Sequence, residues 1–123
     1  MELVRTTNYE RRVKDILTKQ EQHVAEDNIA HHPKNFPVIP GTGGIRKARA
    51  SRGNRGKSGG ARIVFYFWQL EDIIFLLGIY AKNDKEDLTM DEKVQLKSLV
   101  GVLIEVQKEK MEKERLEKER RDV

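Results

Sequence analysis

The spacing of apolar residues near the start of the chain predicts an amphipathic helix. A short strand is expected at residues 2–6. A helix should follow it, because Thr7 and Glu10 stand three residues apart, as in a capping box. Apolar side chains then recur at the period of one helix face, formed by Tyr9, Val13, Ile16 and Leu17. The sequence therefore predicts a first helix with one side against a core.

A second helix is predicted directly after the first. Thr18 and Glu21 again have the spacing of a capping box, so the helix should begin there. It should end near His31, because Pro33 cannot continue a helix. Two helices joined this tightly predict a helical hairpin.

Strand patterns occupy the middle of the chain. Residues 61–70 are rich in aromatic and β-branched side chains, and residues 71–83 follow after a tight turn at 70–72, which predicts an antiparallel hairpin. Residues 44–50 alternate and should form a strand before them. In this strand one face carries Ile45, Lys47 and Arg49, and the other carries Arg46, Ala48 and Ala50.

A third capping box, Thr89 with Glu92, predicts the last helix. Its apolar stripe consists of Leu96, Leu99, Val100, Leu103 and Val106. The order of elements predicts an α+β fold in which an N-terminal helical hairpin packs with a small antiparallel sheet and a C-terminal helix. We expect this domain to span residues 1–106.

Residues 107–123 predict a charged helical extension. The apolar stripe fades there, and opposite charges stand four residues apart along a solvated helix that should fray. The pairs are Glu109–Lys113, Glu114–Lys118 and Glu117–Arg121. This segment is either a polar tail without function or an extension that binds a partner, and both interpretations stay open.

Several features of the chain bear on its compartment. It has 123 residues and no cysteine, which fits one domain in a reducing environment. Its start has no apolar signal region, and its longest apolar-rich run, residues 73–81, is far too short to cross a membrane. We therefore expect a soluble cytoplasmic protein.

Positive charge is concentrated in the segment 41–62. The net charge of the whole chain is +4, but this segment holds seven basic residues and no acidic one. A local field of this kind attracts polyanions. The basic residues are Arg46, Lys47, Arg49, Arg52, Arg55, Lys57 and Arg62.

Two familiar kinds of site are not supported. Gly56, Lys57 and Ser58 look like the end of a phosphate-binding P-loop, but the first glycine of that motif is replaced by Ser51 and a strand pattern follows instead of a helix. The histidines, His23, His31 and His32, are expected on the surface of the second helix. Acidic residues are scattered, so we expect no metal site and no cofactor.

The basic residues themselves form the candidate site. Lys47 and Arg49 are two apart on a strand and share a face, and Arg62 begins the next strand. Lys82 lies at the far end of the third strand. Cations on a sheet face form an open groove or bind an anion, because an unpaired buried charge is costly. Aromatic residues that could stack on a base are Tyr66, Trp68 and Tyr80, although Phe65 and Phe67 should take the opposite face from the first two.

Three sequence patterns together resemble the RelE superfamily of bacterial toxins, in particular its HigB-like branch. They are G-x-R-K-x-R, K-S-G-G-x-R and Y-A-K-N, and the likeness covers roughly residues 38–100. The resemblance implies an endoribonuclease that cuts messenger RNA on the ribosome without a metal, by attack of the 2′-hydroxyl on the neighbouring phosphate. It also implies inhibition by a cognate antitoxin, which we expect to be of the helix-turn-helix type.

The resemblance also implies roles for individual residues. By motif position, Lys47, Arg49, Arg62 and Lys82 match the family's basic catalytic residues, and either lysine, crowded by cations, could act as the general base. Tyr80 and Asn83 belong to the branch motif. The family's C-terminal tyrosine has no match, because no tyrosine follows Tyr80. Contacts with RNA or ribosome are expected from Arg46, Arg52, Arg55, Lys57, Tyr80 and Asn83.

Two other interpretations stay open at this point. The chain could be a basic module that binds RNA or ribosome without cutting, or a toxin relative that has lost activity. It could also be a structural partner that acts through its C-terminal helix. The sequence leaves the oligomeric state open.

Overall fold

Four strands and three α-helices make up the fold in the part of the chain that the structure describes. The computed structural model describes residues 1–53 and 60–122. A 3-10 turn at Pro33–Asn35 follows the helical hairpin, and a second at Gln69–Glu71 joins the last two strands. The strands are β1 (Glu2–Arg5), β2 (Arg46–Ala50), β3 (Ala61–Trp68) and β4 (Ile73–Ala81), and the helices are α1 (Thr7–Ile16), α2 (Lys19–His31) and α3 (Met90–Arg121).

The strands form one sheet in the order β1-β4-β3-β2. β3 is antiparallel to both of its neighbours, as predicted, whereas β1 pairs with β4 in parallel. Parallel pairing needs a long crossover, and the chain between β1 and β4 supplies one because it contains α1, α2, β2 and β3. The α+β prediction is confirmed, and the sheet is mixed rather than purely antiparallel.

Each face of the sheet packs against a different set of helices. One face meets the α1–α2 hairpin around Phe65, and the other meets α3 around Trp68. The predicted alternation is confirmed, because Phe65 and Phe67 contact the hairpin core while Tyr66 and Trp68 contact the α3 core. A register shift between Val64 and Phe65 interrupts the pairing of β3 with β4.

The helix starts follow the predicted caps with one correction. Thr18 with Glu21 and Thr89 with Glu92 form capping boxes, as expected. Helix α1, however, is capped by Thr6 rather than Thr7, since the Thr6 hydroxyl oxygen accepts a hydrogen bond from the Tyr9 amide at 3.2 Å. The same hydroxyl donates to the Leu77 carbonyl at 3.1 Å, which ties the start of α1 to β4.

Helix α3 differs from the prediction in its second half. It is continuous to Arg121 instead of fraying, and Val106 is 56% exposed, so this residue does not belong to the buried stripe. Met111 packs against the core instead. Within the described part of the tail, ion pairs join Arg115 to Glu112 and Glu119, and Lys108 to Glu105, rather than the predicted partners. None of the helices in the described ranges combines the length and apolar character needed to cross a bilayer.

Candidate functional site

Arg49, Arg62 and Tyr80 form a row across three strands. Arg49 on β2 lies directly opposite Arg62 on β3, and Arg62 lies directly opposite Tyr80 on β4. Residues paired in this way have Cβ atoms about 4.5–5.5 Å apart and point to the same face. That face is the one covered by α3, because Tyr80 packs with the α3 core. The alternation of strand residues therefore brings two predicted site arginines together.

The two predicted site lysines lie beside this row. Lys47 is two residues before Arg49 on β2, on the same face, and is partly buried. Lys82 follows β4, and its amide donates to the Gly60 carbonyl at 2.9 Å, which holds it beside the start of β3. All four predicted catalytic residues thus lie at one end of the sheet.

Arg62 is a buried cation with unusual surroundings. Only 7% of its surface is exposed, and its guanidinium donates to the Ala61 carbonyl at 3.1 Å. Among residues 1–53 and 60–122, no Asp or Glu side chain lies within 4.0 Å of it to form an ion pair. The segment 54–59 contains no acidic residue in the sequence. A desolvated guanidinium without a counter-charge is costly, and an anion would offset that cost.

Tyr80 provides a second unsatisfied group in the same row. Its side chain is 4% exposed, and its hydroxyl has no hydrogen-bond partner in the part of the chain that the structure describes. Burial raises the pKa of this hydroxyl, and the negative charge of Asp87 raises it further, although Arg62 opposes both. The hydroxyl is therefore protonated at neutral pH and free to donate a hydrogen bond.

Acidic residues after β4 enter the site, which the sequence analysis did not predict. The Asp87 carboxylate lies 3.4 Å from Lys47 Nζ. Lys85 pairs with Glu92, and this hydrogen bond, together with the Thr89 amide, lowers the pKa of the Glu92 carboxyl. Lys47, which was expected to be crowded by cations, thus also has a carboxylate beside it. Three acids among residues 84–87, shortly after Lys82, are the signal in the sequence.

A pocket of about 320 Å³ opens beside this cluster. Lys47 and Tyr80 line it on the sheet side, and Asp87 and Leu88 line it where the chain enters α3. The segment 37–40, which contains two prolines, forms an apolar wall. The pocket thus joins the cationic cluster to an apolar surface.

The other predicted RNA contacts lie apart from the row. Arg46 is on the opposite face, where its guanidinium donates to the carbonyls of Lys34 and Phe36 at 3.3 and 2.7 Å. Arg52 donates to the Ile16 carbonyl at 3.1 Å and shares a separate groove with the exposed Asn83. The remaining two, Arg55 and Lys57, lie outside the described residues.

Trp68 and Tyr66, the other two aromatic residues that could stack on a base, pack against other side chains of the protein. Trp68 is only 9% exposed and stacks on Phe75, with ring centroids 6.4 Å apart. Tyr66 is half-buried and packs against the α3 core. These contacts make Tyr80 the aromatic residue of the three that is positioned at the cationic cluster.

The histidines are exposed on and just after α2. His23 lies 3.4 Å from Asp27, and the His31 ring contacts the Asp27 carbonyl at 2.7 Å. Within residues 1–53 and 60–122, no three His, Cys, Asp or Glu side chains are grouped so as to hold a metal ion.

Comparison with known proteins shows the family to which the chain belongs. The family model described as the RelE toxin of the RelE / RelB toxin-antitoxin system matches residues 40–123, which include every strand residue of the row. The chain belongs to the RelE toxin family. The RelE match also contains the whole of α3, including the part beyond residue 106.

A solved RelE structure has the same fold. It is a mutant of E. coli toxin RelE in the free state, in which two arginines are changed to alanine. The TM-score is 0.54 at 12% identity, over 76% of this chain and 94% of that chain. This likeness supports the RelE-like architecture predicted from the sequence. The HigB-like branch stays a prediction, because the family model matches RelE toxins in general.

Proposed function

We propose that this RelE-family protein is a cytoplasmic toxin that cleaves messenger RNA on the ribosome and thereby inhibits translation. Ribonuclease activity is the general property of RelE toxins. The observation that carries the proposal for this chain is Arg62, a buried guanidinium with no acidic partner in the described residues, aligned with Arg49 and Tyr80. A phosphate of the RNA backbone supplies the missing negative charge.

The proposed reaction is a transesterification within the RNA. The 2′-oxygen attacks the neighbouring phosphorus, the bond from phosphorus to the 5′-oxygen breaks, and the products are a 2′,3′-cyclic phosphate and a 5′-hydroxyl. Negative charge builds on the phosphate oxygens in the transition state. In this proposal Arg62 and Arg49, which lie opposite each other on β3 and β2, donate hydrogen bonds to these oxygens and so stabilise that charge.

The two lysines are assigned to the two proton transfers. A base must take the proton of the 2′-hydroxyl, and an acid must protonate the leaving 5′-oxygen. Lys47, whose ammonium is paired with Asp87, is assigned to the leaving oxygen. Lys82 has no carboxylate within 4.0 Å among the described residues and is assigned to the 2′-hydroxyl. In the alternative assignment, Lys47 takes the proton of the 2′-hydroxyl and Lys82 protonates the leaving oxygen.

The proposed partners are the ribosome, its messenger RNA and a cognate antitoxin of the helix-turn-helix type. Ribosome and RNA are polyanions, and the basic residues outside the row would contact their backbone. Those residues are Arg46, Arg52, Arg55 and Lys57, and Asn83 is assigned to the same contacts.

Controlled expression tests the proposal. The wild-type protein should arrest growth and produce cuts inside translated messenger RNA, with 2′,3′-cyclic phosphate ends. Arg62→Ala should abolish both effects while its circular dichroism spectrum stays unchanged. Arg115→Ala, which changes an arginine on the exposed tail of α3, is the matched control and should remain toxic.

A fully toxic Arg62→Ala variant would contradict the assignment of Arg62 to the phosphate. Growth arrest without RNA cuts would favour a binding module that does not cleave.

A further inference from the structure

Arg49 lies near the end of an edge strand. β2 is the last strand of the sheet, and its pairing with β3 ends where Ala50 lies opposite Ala61. Arg49 is the residue before that last pair, so it lies where the chain leaves the sheet. The end of an edge strand opens at a low cost in free energy unless further contacts hold it. The position of Arg49 therefore depends on what holds the residues that follow β2.

Two contacts fix the residues after β2 to the turn between α1 and α2. The Arg52 guanidinium donates a hydrogen bond to the Ile16 carbonyl at 3.1 Å. Ile16 is the last residue of α1, and the carbonyls of a last helical turn have no partner within their helix. Gly53 has a φ of 58°, and a Cβ atom placed on it would lie 3.6 Å from Glu21 Oε2. Both contacts thus join the exit of β2 to the helical hairpin.

Glu21 is itself held by the start of α2. Its carboxylate accepts a hydrogen bond from the Thr18 amide at 2.8 Å, and its own amide donates to the Thr18 hydroxyl at 3.1 Å. The pKa of the Glu21 carboxyl is lowered first by the Thr18 amide, and also by the Thr18 hydroxyl, the Gly53 amide and the charge of Arg52. One carboxylate therefore serves both the cap of α2 and the exit of β2.

This carboxylate and Arg49 line the same groove. The groove has a volume of about 300 Å³ and lies between α2 and the end of β2, and Gly53 also lines it. Among residues 1–53 and 60–122, no carboxylate lies within 4.0 Å of Arg49 to form an ion pair. Glu21 thus lies near Arg49 without neutralising it.

We propose that Glu21 is a positioning residue for RNA cleavage, because by fixing Gly53 it keeps Arg49 opposite Arg62. The inference rests on the proposed function and adds to it a residue that acts through Arg49 rather than on the RNA. The Arg52 contact with Ile16 holds the neighbouring residue of the same segment. The α1–α2 turn is then the support for one end of the cationic row.

Steady-state cleavage of ribosome-bound messenger RNA by variants of the whole chain tests this role. Glu21→Ala should lower kcat about 10-fold and leave KM within about 2-fold, a smaller loss than the roughly 100-fold that a 1 Å misplacement can cause, because Arg62 stays in place. Glu21→Gln should keep most of the wild-type kcat, since its amide oxygen can accept the same hydrogen bonds. Glu21→Ala added to Arg49→Ala should cause no further loss, because no Arg49 side chain is left to position.

Thr18→Ala is the matched control. It removes the other half of the same capping box and lowers the stability of α2 to a similar extent, but it leaves the Glu21 carboxylate in place. Its kcat should stay within about 2-fold of the wild type. Hydrogen exchange supplies a measurement that does not depend on cleavage. The Gly53 amide should exchange about 10-fold faster in Glu21→Ala than in the wild type or Thr18→Ala, as expected for one lost hydrogen bond to a charged group.

Three kinetic results would overturn the positioning role. They are a wild-type kcat for Glu21→Ala, equal losses in Glu21→Ala and Thr18→Ala, and additive losses when Glu21→Ala is combined with Arg49→Ala. Unchanged exchange of the Gly53 amide in Glu21→Ala would show that the carboxylate does not hold this segment. Failure of the proposed function has a different signature, since the wild type would leave messenger RNA uncut while exchange at Gly53 still depended on Glu21.

Discussion

Within residues 1–53 and 60–122, two clusters each combine an arginine with a buried tyrosine. Arg5, whose side chain is 38% exposed, belongs with Tyr9, and the buried Arg62 belongs with Tyr80. At the hairpin side, the Glu26 carboxylate accepts hydrogen bonds from Arg5 at 3.1 Å, Tyr9 at 2.7 Å and Gln22 at 2.9 Å. On the α3 side, Arg62 has no carboxylate partner within the described ranges, and the Tyr80 hydroxyl has no hydrogen bond. In the first cluster the arginine and the tyrosine both donate to a carboxylate, whereas in the second neither has such a partner in the described residues.

This difference separates a structural role from a ligand-binding role. Buried polar groups stabilise a fold when every donor meets an acceptor, and they cost free energy when one partner is missing. The Arg5–Glu26–Tyr9 cluster links β1 to both helices of the hairpin, so its partners are supplied by the chain itself. The Arg62–Tyr80 pair leaves its partners to be supplied from outside. Substitutions in the first cluster are therefore expected to lower the stability of the fold, whereas the matching substitutions of Arg62 and Tyr80 are not.

The largest predicted effect is on cleavage by an Arg62→Met variant. Methionine fills much of the same volume but cannot stabilise charge on the phosphate, so the cleavage rate should fall about 10²- to 10³-fold, or about 3–4 kcal/mol in the barrier. Stability should not fall, because the substitution removes a buried charge without a counter-ion. The measurements are cleavage of ribosome-bound messenger RNA and urea unfolding.

Arg5→Met is the matched variant in the first cluster. It should lose stability, because Glu26 is left with a buried charge and fewer donors, and it should keep the cleavage rate of the folded protein. If Arg62→Met unfolds and Arg5→Met does not, the distinction between the two clusters is wrong.

Glu26→Ala should produce the next largest effect, a loss of about 2–3 kcal/mol in the free energy of unfolding. The substitution removes the acceptor of three side chains, and the Tyr9 hydroxyl remains fully buried without a partner. Asp27→Ala, at an exposed neighbouring position on α2, should change stability by no more than about 0.5 kcal/mol. Equal effects of the two substitutions would show that the buried network contributes little.

The relative positions of Lys47, Arg49 and Arg62 could be predicted from the alternation of side chains along a strand. Lys47 and Arg49 were assigned to one face because they are two residues apart, and the structure confirms that face. Arg62 was placed beside them because it begins the next strand, and the register confirms that Arg49 lies opposite Arg62. These inferences needed only the local period of the chain.

The remaining features depend on contacts that local patterns do not encode. The pairing of β1 with β4 joins segments about seventy residues apart, and Arg5 meets Glu26 across 21 positions. Asp87 reaches Lys47 across 40 positions, because the chain turns back after β4 before α3 begins. The cap at Thr6 instead of Thr7 was decided by a hydrogen bond to Leu77 on a distant strand. Each depends on tertiary geometry.

The two buried tyrosines allow a direct test on stability, since both substitutions remove one hydroxyl. Tyr9→Phe should lower the free energy of unfolding by about 1–2 kcal/mol, because a hydrogen bond to a charged acceptor is lost. Tyr80→Phe should be neutral or slightly stabilising, because its hydroxyl has no partner in the described chain. Thermal unfolding of both variants measures the difference, and a destabilised Tyr80→Phe would mean that the hydroxyl has a structural partner.

The smallest predicted effect is the response of the first cluster to acid. Burial pushes the pKa of Glu26 upward, but hydrogen bonds from Arg5, Gln22 and Tyr9 push it down further, so the net pKa is below its ordinary value of 4.5. A carboxyl with a lowered folded-state pKa contributes stability at higher pH, and this contribution is lost as pH falls from the ordinary value through the lowered one.

Urea unfolding between pH 6 and pH 3 should therefore show a shallower decline in the free energy of unfolding for Glu26→Gln than for the wild type, by about 1 kcal/mol or less. The decline should not vanish, since the cap residues Glu21 and Glu92 also have lowered pKa values and remain in the variant. Parallel declines for the two proteins would show that Glu26 is not the carboxylate that the cluster stabilises.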